Sequence, residues 1–177
     1  MKRFLLLLCL VAVAAPATAF LGPKKTSDYE YENEKPWDEV QAQLPAYPKP
    51  ENLLKFDAGP ASTNSHFVDT PSVSVGEDGV VRFTLVIKST GGGMNVSYEG
   101  IRCQTAEKRT YAYGRANNTW MQARLSKWVD LENIAQNYPQ RALYRYFFCP
   151  LGVDMVKDAD EAIQALRAGV HPRAVRY

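Results

Sequence analysis

An α+β fold, with an antiparallel sheet of four to six strands followed by two or three helices, is what this 177-residue sequence predicts. Three observations lead there. Alternation of apolar and polar residues with period two recurs between residues 66 and 123, and the intervening turns are too short for parallel crossovers. Helical spacing replaces that alternation after Trp128. Strands first and helices second are the order of a segregated α+β domain, and one disulfide, Cys103 to Cys149, is expected to close it.

The chain opens with Met1, the basic pair Lys2-Arg3, an apolar run from Phe4 to Ala15, and the small-residue motif Ala17-Thr18-Ala19. This is the pattern of a cleaved secretory signal peptide, residues 1–19. Its apolar run is shorter than the roughly twenty residues that span a bilayer, and no later segment reaches that length. No transmembrane segment is therefore expected in the mature chain, and the expected location is the periplasm or the outer envelope. Residues 20–35 carry Lys24, Lys25, Asp28, Glu30, Glu32 and Glu34 with almost no aliphatic residue, so a flexible acidic arm is expected. Residues 36–170 then form a single domain. It begins with a Pro-rich strap, 36–60, in which Pro36, Pro45, Pro48, Pro50 and Pro60 interleave with Trp37, Leu44, Tyr47, Leu53, Leu54 and Phe56. Proline keeps such a segment extended while the large apolar residues pin it to the domain. A short helical turn is expected over 37–43.

Phe67–Thr70 and Ser72–Val75 read as short strands, followed by Gly76-Glu77-Asp78-Gly79 as a hairpin turn. In Val80–Lys88, Val81, Phe83, Leu85 and Ile87 alternate with Arg82, Thr84, Val86 and Lys88, which predicts a half-buried strand. Asn95–Cys103 follows the Gly91-Gly92-Gly93 turn. Its Val96, Tyr98 and Ile101 do not share one alternation, and a bulge at Gly100 would reconcile them. Thr110–Tyr113 and Thr119–Ala123 flank the polar turn 114–118. Trp128, Leu131, Ile134, Ala135 and Tyr138 follow helical spacing, Pro139 interrupts, and Ala142–Phe148 reads as helix running into Cys149. Asp158–Ala168 reads as an amphipathic helix with acidic residues at its start and Gly169 at its end.

Cleavage after Ala19 would remove Cys9, leaving Cys103 and Cys149 as a single possible pair in an oxidising compartment. The alternative, a redox or metal role, lacks a Cys-x-x-Cys and any nearby histidine. Cleavage would also remove Lys2 and Arg3 from the 21 Lys+Arg, so the mature chain balances its 19 Asp+Glu. Net neutrality gives no support to a nucleic-acid partner. The charge is uneven, however: Gly79–Cys149 holds ten Lys/Arg and four Asp/Glu.

Trp37, Tyr47-Pro48, Phe56, the run Gly79–Val86, the run Asn95–Cys103, Trp120, Trp128 and Tyr146–Cys149 together resemble the cryptic neisserial protein-like (CNP1-like) family of proteobacterial exported proteins. The resemblance covers roughly residues 36–168 and is sharpest over Asn95–Cys103. It implies an envelope-associated domain and supplies no catalytic residues to carry over.

No Gly-x-Ser-x-Gly, His-Glu-x-x-His, P-loop or dinucleotide fingerprint occurs, and no cofactor or metal is expected. Glu99 shares the face of Ile101 and Cys103 if alternation holds. A carboxylate buried there needs a partner, for which Arg82, Arg102 and Arg145 are the candidates. Arg102, Lys108, Arg109, Arg115, Arg124 and Lys127 lie near Tyr98, Tyr111, Tyr113 and Trp120 in sequence. A basic and aromatic sheet face of this kind suits an anionic envelope component or an envelope protein. The candidate surface is Tyr98, Glu99, Arg102, Tyr111, Tyr113, Arg115 and Trp120, weighed against the plainer reading of a solvated sheet face. The functional expectation is a non-enzymatic binding or accessory module. Two alternatives stand beside it: an acid/base hydrolase or lyase using Glu99, Asp69 or His66, and a structural subunit of an envelope assembly.

Overall fold

The computed structural model describes residues 37–174. The expected signal peptide and acidic arm lie outside the described residues. Seven antiparallel strands form one sheet, β1 (Leu53–Phe56), β2 (Ser65–Val75), β3 (Val80–Lys88), β4 (Met94–Arg102), β5 (Glu107–Gly114), β6 (Trp120–Gln122) and β7 (Val129–Asp130). The first six follow one another in spatial order, and β7 pairs with the far end of β5. The two short strand candidates at 67–75 are one strand, irregular between Asp69 and Ser74. β1, inside the expected strap, and β7 are additions to the sequence reading.

Helical structure follows the sheet, as expected, in the form of α1 (Tyr138–Ala142), a π-helical continuation over Leu143–Phe148, and α2 (Ala159–Ala168). Pro139 stands in the first turn of α1, where its missing N–H has no intrahelical partner to lose, so it starts the helix rather than interrupting one. The helical spacing read over 128–138 corresponds instead to β7 and a 3₁₀ turn, Ala135–Asn137. The Cys149 N–H reaches the Tyr144 carbonyl at 2.9 Å, the wide turn of a π-helix. In α2 the Asp158 carboxylate accepts the Glu161 N–H at 2.8 Å. Gly169, at φ 78°, supplies the left-handed residue that ends the helix.

These helices cover one sheet face. Val81, Phe83 and Leu85 of β3, Ile101 of β4 and Val68 of β2 meet Leu143, Phe147, Phe148, Ala165 and Leu166 there. Phe83 and Phe148 lie 5.2 Å apart, centroid to centroid. The Cys103–Cys149 disulfide stitches the end of β4 to the end of the π-helical turn, with Cα atoms 5.5 Å apart. It closes a segment of sequence separation 46, for which chain entropy predicts about 4 kcal/mol of stabilisation.

The opposite face is covered too, by residues 37–48 of the strap, which run extended rather than helical. Trp37 Nε1 donates to the Asp78 carbonyl at 2.7 Å, Trp120 Nε1 donates to the Pro45 carbonyl at 2.9 Å, and the Tyr47 hydroxyl donates to the Arg115 carbonyl at 3.1 Å. The strap therefore crosses from the β2–β3 turn to the β5–β6 hairpin. Under it, β3 is buried on both faces from Val80 to Val86, which corrects the half-buried reading. The same arrangement explains the mixed alternation of β4. Val96 and Tyr98 face the strap, Ile101 faces the helices, and β3 pairs with β4 without a register shift. The bulge falls on β5 instead, where Tyr111 is the extra residue between the pairs Tyr98–Ala112 and Glu99–Thr110. Gly100 is the space this requires: a Cβ there would lie 2.6 Å from the Tyr111 hydroxyl and 3.0 Å from Val80 Cγ1.

Two outcomes are expected. Replacing both cysteines by serine lowers stability in urea unfolding by about 4 kcal/mol; two alkylatable thiols in the untreated mature protein would show that no bridge exists. Gly100→Ala destabilises by about 1–3 kcal/mol through overpacking against Tyr111, and pairing it with Tyr111→Phe, which removes the closest atom, recovers part of the loss in thermal unfolding.

Candidate functional site

Arg82 is the centre of the polar structure beneath the strap. Being on β3 between Val81 and Phe83, it points away from the helices, and its side chain is only 6% exposed. Asp78, in the turn four residues earlier, grips it with both oxygens, at 3.2 and 2.6 Å, while Arg82 Nη2 also donates to the Val40 carbonyl at 2.8 Å. Val40 returns its own N–H to Asp78 Oδ2 at 2.9 Å, so strap and turn are joined reciprocally. Glu39, next to it in the strap, lies 3.6 Å from Arg82 Nη2 and accepts from Arg109 Nη1, from the Tyr111 hydroxyl at 2.7 Å and from Trp128 Nε1 at 2.9 Å. Arg109 Nε donates in turn to Ser126 at 2.8 Å. Arg102 stacks over Trp37 at 4.0 Å, and Trp37 meets Trp128 edge to face at 5.8 Å.

The titration of these groups follows from that geometry. Burial alone would raise the Asp78 carboxyl, but the Arg82 guanidinium and the Val40 and Val80 N–H groups outweigh it and hold Asp78 below the usual carboxylate range. Burial likewise opposes the Arg82 charge, and Asp78 overcomes it, so Arg82 stays above its ordinary value. Burial and the hydrogen bond to Glu39 push the Tyr111 hydroxyl well up, fixing it as a donor. The carboxylates are thus saturated with donors, an arrangement for holding shape rather than moving protons. A cavity of about 510 Å³ opens beside the network, lined by Glu39, Val40, Leu44, Arg109, Gln122 and Ser126.

The seven candidate surface residues do not share one open face. Tyr98 is buried beneath the strap, 5.5 Å from the Tyr111 ring and 6.3 Å from Trp120. Tyr111, Trp120 and Arg102 are held by the strap contacts already described. Glu99 points to the helix side, pairing with Phe83 across β4 and β3, as its expected alternation required. Its partners, however, are not the arginines. Ser97 donates to Oε1 at 2.6 Å and Gln140 Nε2 donates to Oε2 at 2.9 Å. Only Tyr113 and Arg115 are exposed, at the β5–β6 hairpin. Sequence reasoning missed Glu39 and Asp78. The signal was available, because a core with ten basic and four acidic residues needs anions from outside its own span, and Glu39 stands between Trp37 and Val40 in the segment that lies against it.

His66, Asp69 and Glu99 are separated as well. Along β3, His66 pairs with Ile87 on the helix side and Asp69 with Thr84 on the strap side, so the sheet lies between them. Glu99, opposite Phe83, is on the side of His66 but four residues further along β3, about 13 Å at the usual ~3.3 Å rise and two strands away. Burial raises the Asp69 carboxyl, with hydrogen bonds from Ser72 and the Lys49 backbone opposing. Burial lowers the His66 imidazole, against the pull of Asp57. His66 Nε2 lies 3.1 Å from the Ser62 hydroxyl at a cavity of about 480 Å³, but no described side chain bonds its other ring nitrogen to orient it as a base. Among the described residues no three His, Cys, Asp or Glu side chains are placed to hold a metal ion, and no helix is long and apolar enough to cross a membrane.

Fold and site together define a disulfide-closed α+β domain whose central sheet is capped by helices on one side and by its own N-terminal strap on the other. The model of the CNP1-like family matches residues 32–167, and the chain belongs to that family. It is 26% identical over 200 aligned positions to cryptic neisserial protein 1 of Neisseria gonorrhoeae, the match covering 100% of this chain and 96% of that protein. No solved structure matches the chain.

The buried network yields two tests. Glu39→Leu removes the acceptor of Arg109 Nη1, the Tyr111 hydroxyl and Trp128 Nε1, while Arg82 keeps Asp78 and the Val40 carbonyl. With Glu39 15% and Arg109 29% exposed, it is expected to cost about 3 kcal/mol, the lower end for breaking a buried pair, whereas the exposed neighbour Asp38→Ala changes stability by less than about 0.5 kcal/mol. Because the Asp78 pKa is lower folded than unfolded, its contribution is fully present above the unfolded value of about 3.9 and disappears as the pH falls through the folded value. Stability measured against pH should therefore fall less steeply on the acid side in Asp78→Asn than in the parent protein, starting from a lower plateau; parallel curves would refute the assignment.

Proposed function

We propose that the protein is an exported binding or accessory module of the bacterial envelope. The single observation that carries this reading is the Cys103–Cys149 bridge, buried at the junction of sheet and helices, because such bridges form and persist in oxidising compartments. The pattern Lys2-Arg3, apolar run, Ala17-Thr18-Ala19 supports it from the other end of the chain. A binding role is favoured over an acid/base hydrolase or lyase because His66, Asp69 and Glu99 converge in no common pocket. As a structural subunit the protein would dock through its strap and acidic arm, and of these the strap residues 37–48 lie against its own sheet.

Expression of the tagged full chain in its native host, followed by fractionation and intact mass, tests the reading. The expected product is a periplasmic or envelope-bound chain starting at Phe20 with its disulfide intact. A full-length cytosolic chain with reduced cysteines would overturn it. Crosslinking in whole cells, with identification of what becomes attached, then names the partner.

A further inference from the structure

Between Glu107 and Asp130 the sequence holds Lys108, Arg109, Arg115, Arg124 and Lys127 and no acidic residue. The structure sorts these cations into two kinds. Arg109 is engaged by Glu39 and Ser126, and Lys108 is half-buried where β5 pairs with β7. Arg115, Arg124 and Lys127 are exposed, and no carboxylate among the described residues pairs with them. Arg124 and Lys127 flank Leu125, which at 82% is the most exposed large apolar side chain of the described residues. One exposed leucine is ordinary. Unpaired cations on both sides of it, in a stretch without anions, are a second and independent observation. Val40 and Leu44 of the strap, both exposed, line the same cavity as Ala123 and Ser126, so the strap adjoins this loop.

We propose that the loop Ala123–Lys127, with the adjoining strap rim, is a docking surface for an anionic lipid membrane. This deepens the envelope reading above and rests on it. Arg124 and Lys127 would meet headgroup phosphates while Leu125 enters the headgroup layer, with Arg115 at the other end of β6 adding long-range attraction. A lipid surface fits better than an acidic protein segment for two reasons. The charges ride on exposed, flexible stems about a protruding side chain, which suits a fluid array of phosphates and requires no shaped partner. The cavity beside the loop is lined by Ala123 and Ser126 but not by Arg124, Leu125 or Lys127, so the free cations stand outside it, where a flat array of headgroups reaches them without a groove.

The test uses the purified mature protein and sedimentation with vesicles of phosphatidylethanolamine alone or mixed with phosphatidylglycerol, at low and high salt. Binding is expected to the mixed vesicles only, to weaken with salt, and to fall about thirtyfold in Arg124→Gln/Lys127→Gln, the effect of two basic contacts at a charged surface. Leu125→Ser weakens binding further, and a fluorophore on Leu125→Cys reports a drier environment when vesicles are added. These positions lie outside the buried network, so unchanged thermal unfolding certifies the variants. Absence of binding to phosphatidylglycerol vesicles at low salt overturns the proposal, as does binding that the loop variants leave untouched. Binding of a polyglutamate peptide in place of vesicles overturns it in favour of an acidic protein partner. Export and disulfide formation are read separately, so failure here is distinguishable from failure of the envelope assignment.

Discussion

The fold depends on giving Arg82 its anions. A guanidinium on the central strand of a sheet covered on both faces has little access to bulk water, and the desolvation it suffers is offset by carboxylates and carbonyls in bonding geometry. Asp78 comes from the adjoining turn, so it arrives with the β2–β3 hairpin. Glu39 and the Val40 carbonyl come from forty residues upstream, so they arrive only when the strap is in place. The strap is thus an integral layer of the domain, bound by a charge that the sheet cannot bury without it. Its indole and tyrosine contacts at Trp37, Trp120 and Tyr47 then set where along the sheet it lies.

The two covering layers are secured by different physics. On the helix side, aromatic and aliphatic packing supplies the attraction, and the Cys103–Cys149 bridge restricts the unfolded chain. On the strap side, charge-assisted hydrogen bonds supply specificity of register. β3 and β4 are where the two meet. Their alternate residues belong to different layers, and Glu99 with Gln140 is the one carboxylate contact that helix packing encloses on its side of β4. Small residues make the second layer possible. Gly100 and Gly114 give the Tyr111 and Tyr47 rings their space, and any side chain there would lift the aromatic layer off the sheet.

The architecture was legible because period-two alternation and capping chemistry are local signals. β3 came out with the same bounds, and α2 within one residue, with its acidic start and Gly169 stop. What the alternation concealed was the second layer. In a strand, Arg82 and Thr84 look alike whether they face water or a strap, since sequence periodicity records polarity and not what is opposite. The strap itself has no periodicity to read, and its extended course came from proline content while its partners did not. The 128–138 segment misled for a related reason: apolar residues at helical spacing recur there by coincidence, and the backbone pairing of Val129 with Lys108 overrides it. For the candidate site, composition assigned the basic and aromatic residues to one face; the bulge at Tyr111 and the burial of Tyr98 separate them.

That separation changes where a function can be located. A basic, aromatic cluster counted along the sequence mixes charges that hold the fold with charges that remain available, and only their partners distinguish the two. Arg82 and Arg109 are balanced by Asp78 and Glu39, and Arg102 is covered by an indole, so a ligand competing for them would have to displace the strap and forfeit the contacts that close the second face. The side-chain charges of Arg115, Arg124 and Lys127 can change partners without any such cost, because no carboxylate among the described residues pairs with them. Cations that the sheet uses internally are closed to its surroundings, whereas the β5–β6 hairpin and the loop that carries Leu125 hold three that are open to them, Arg115, Arg124 and Lys127.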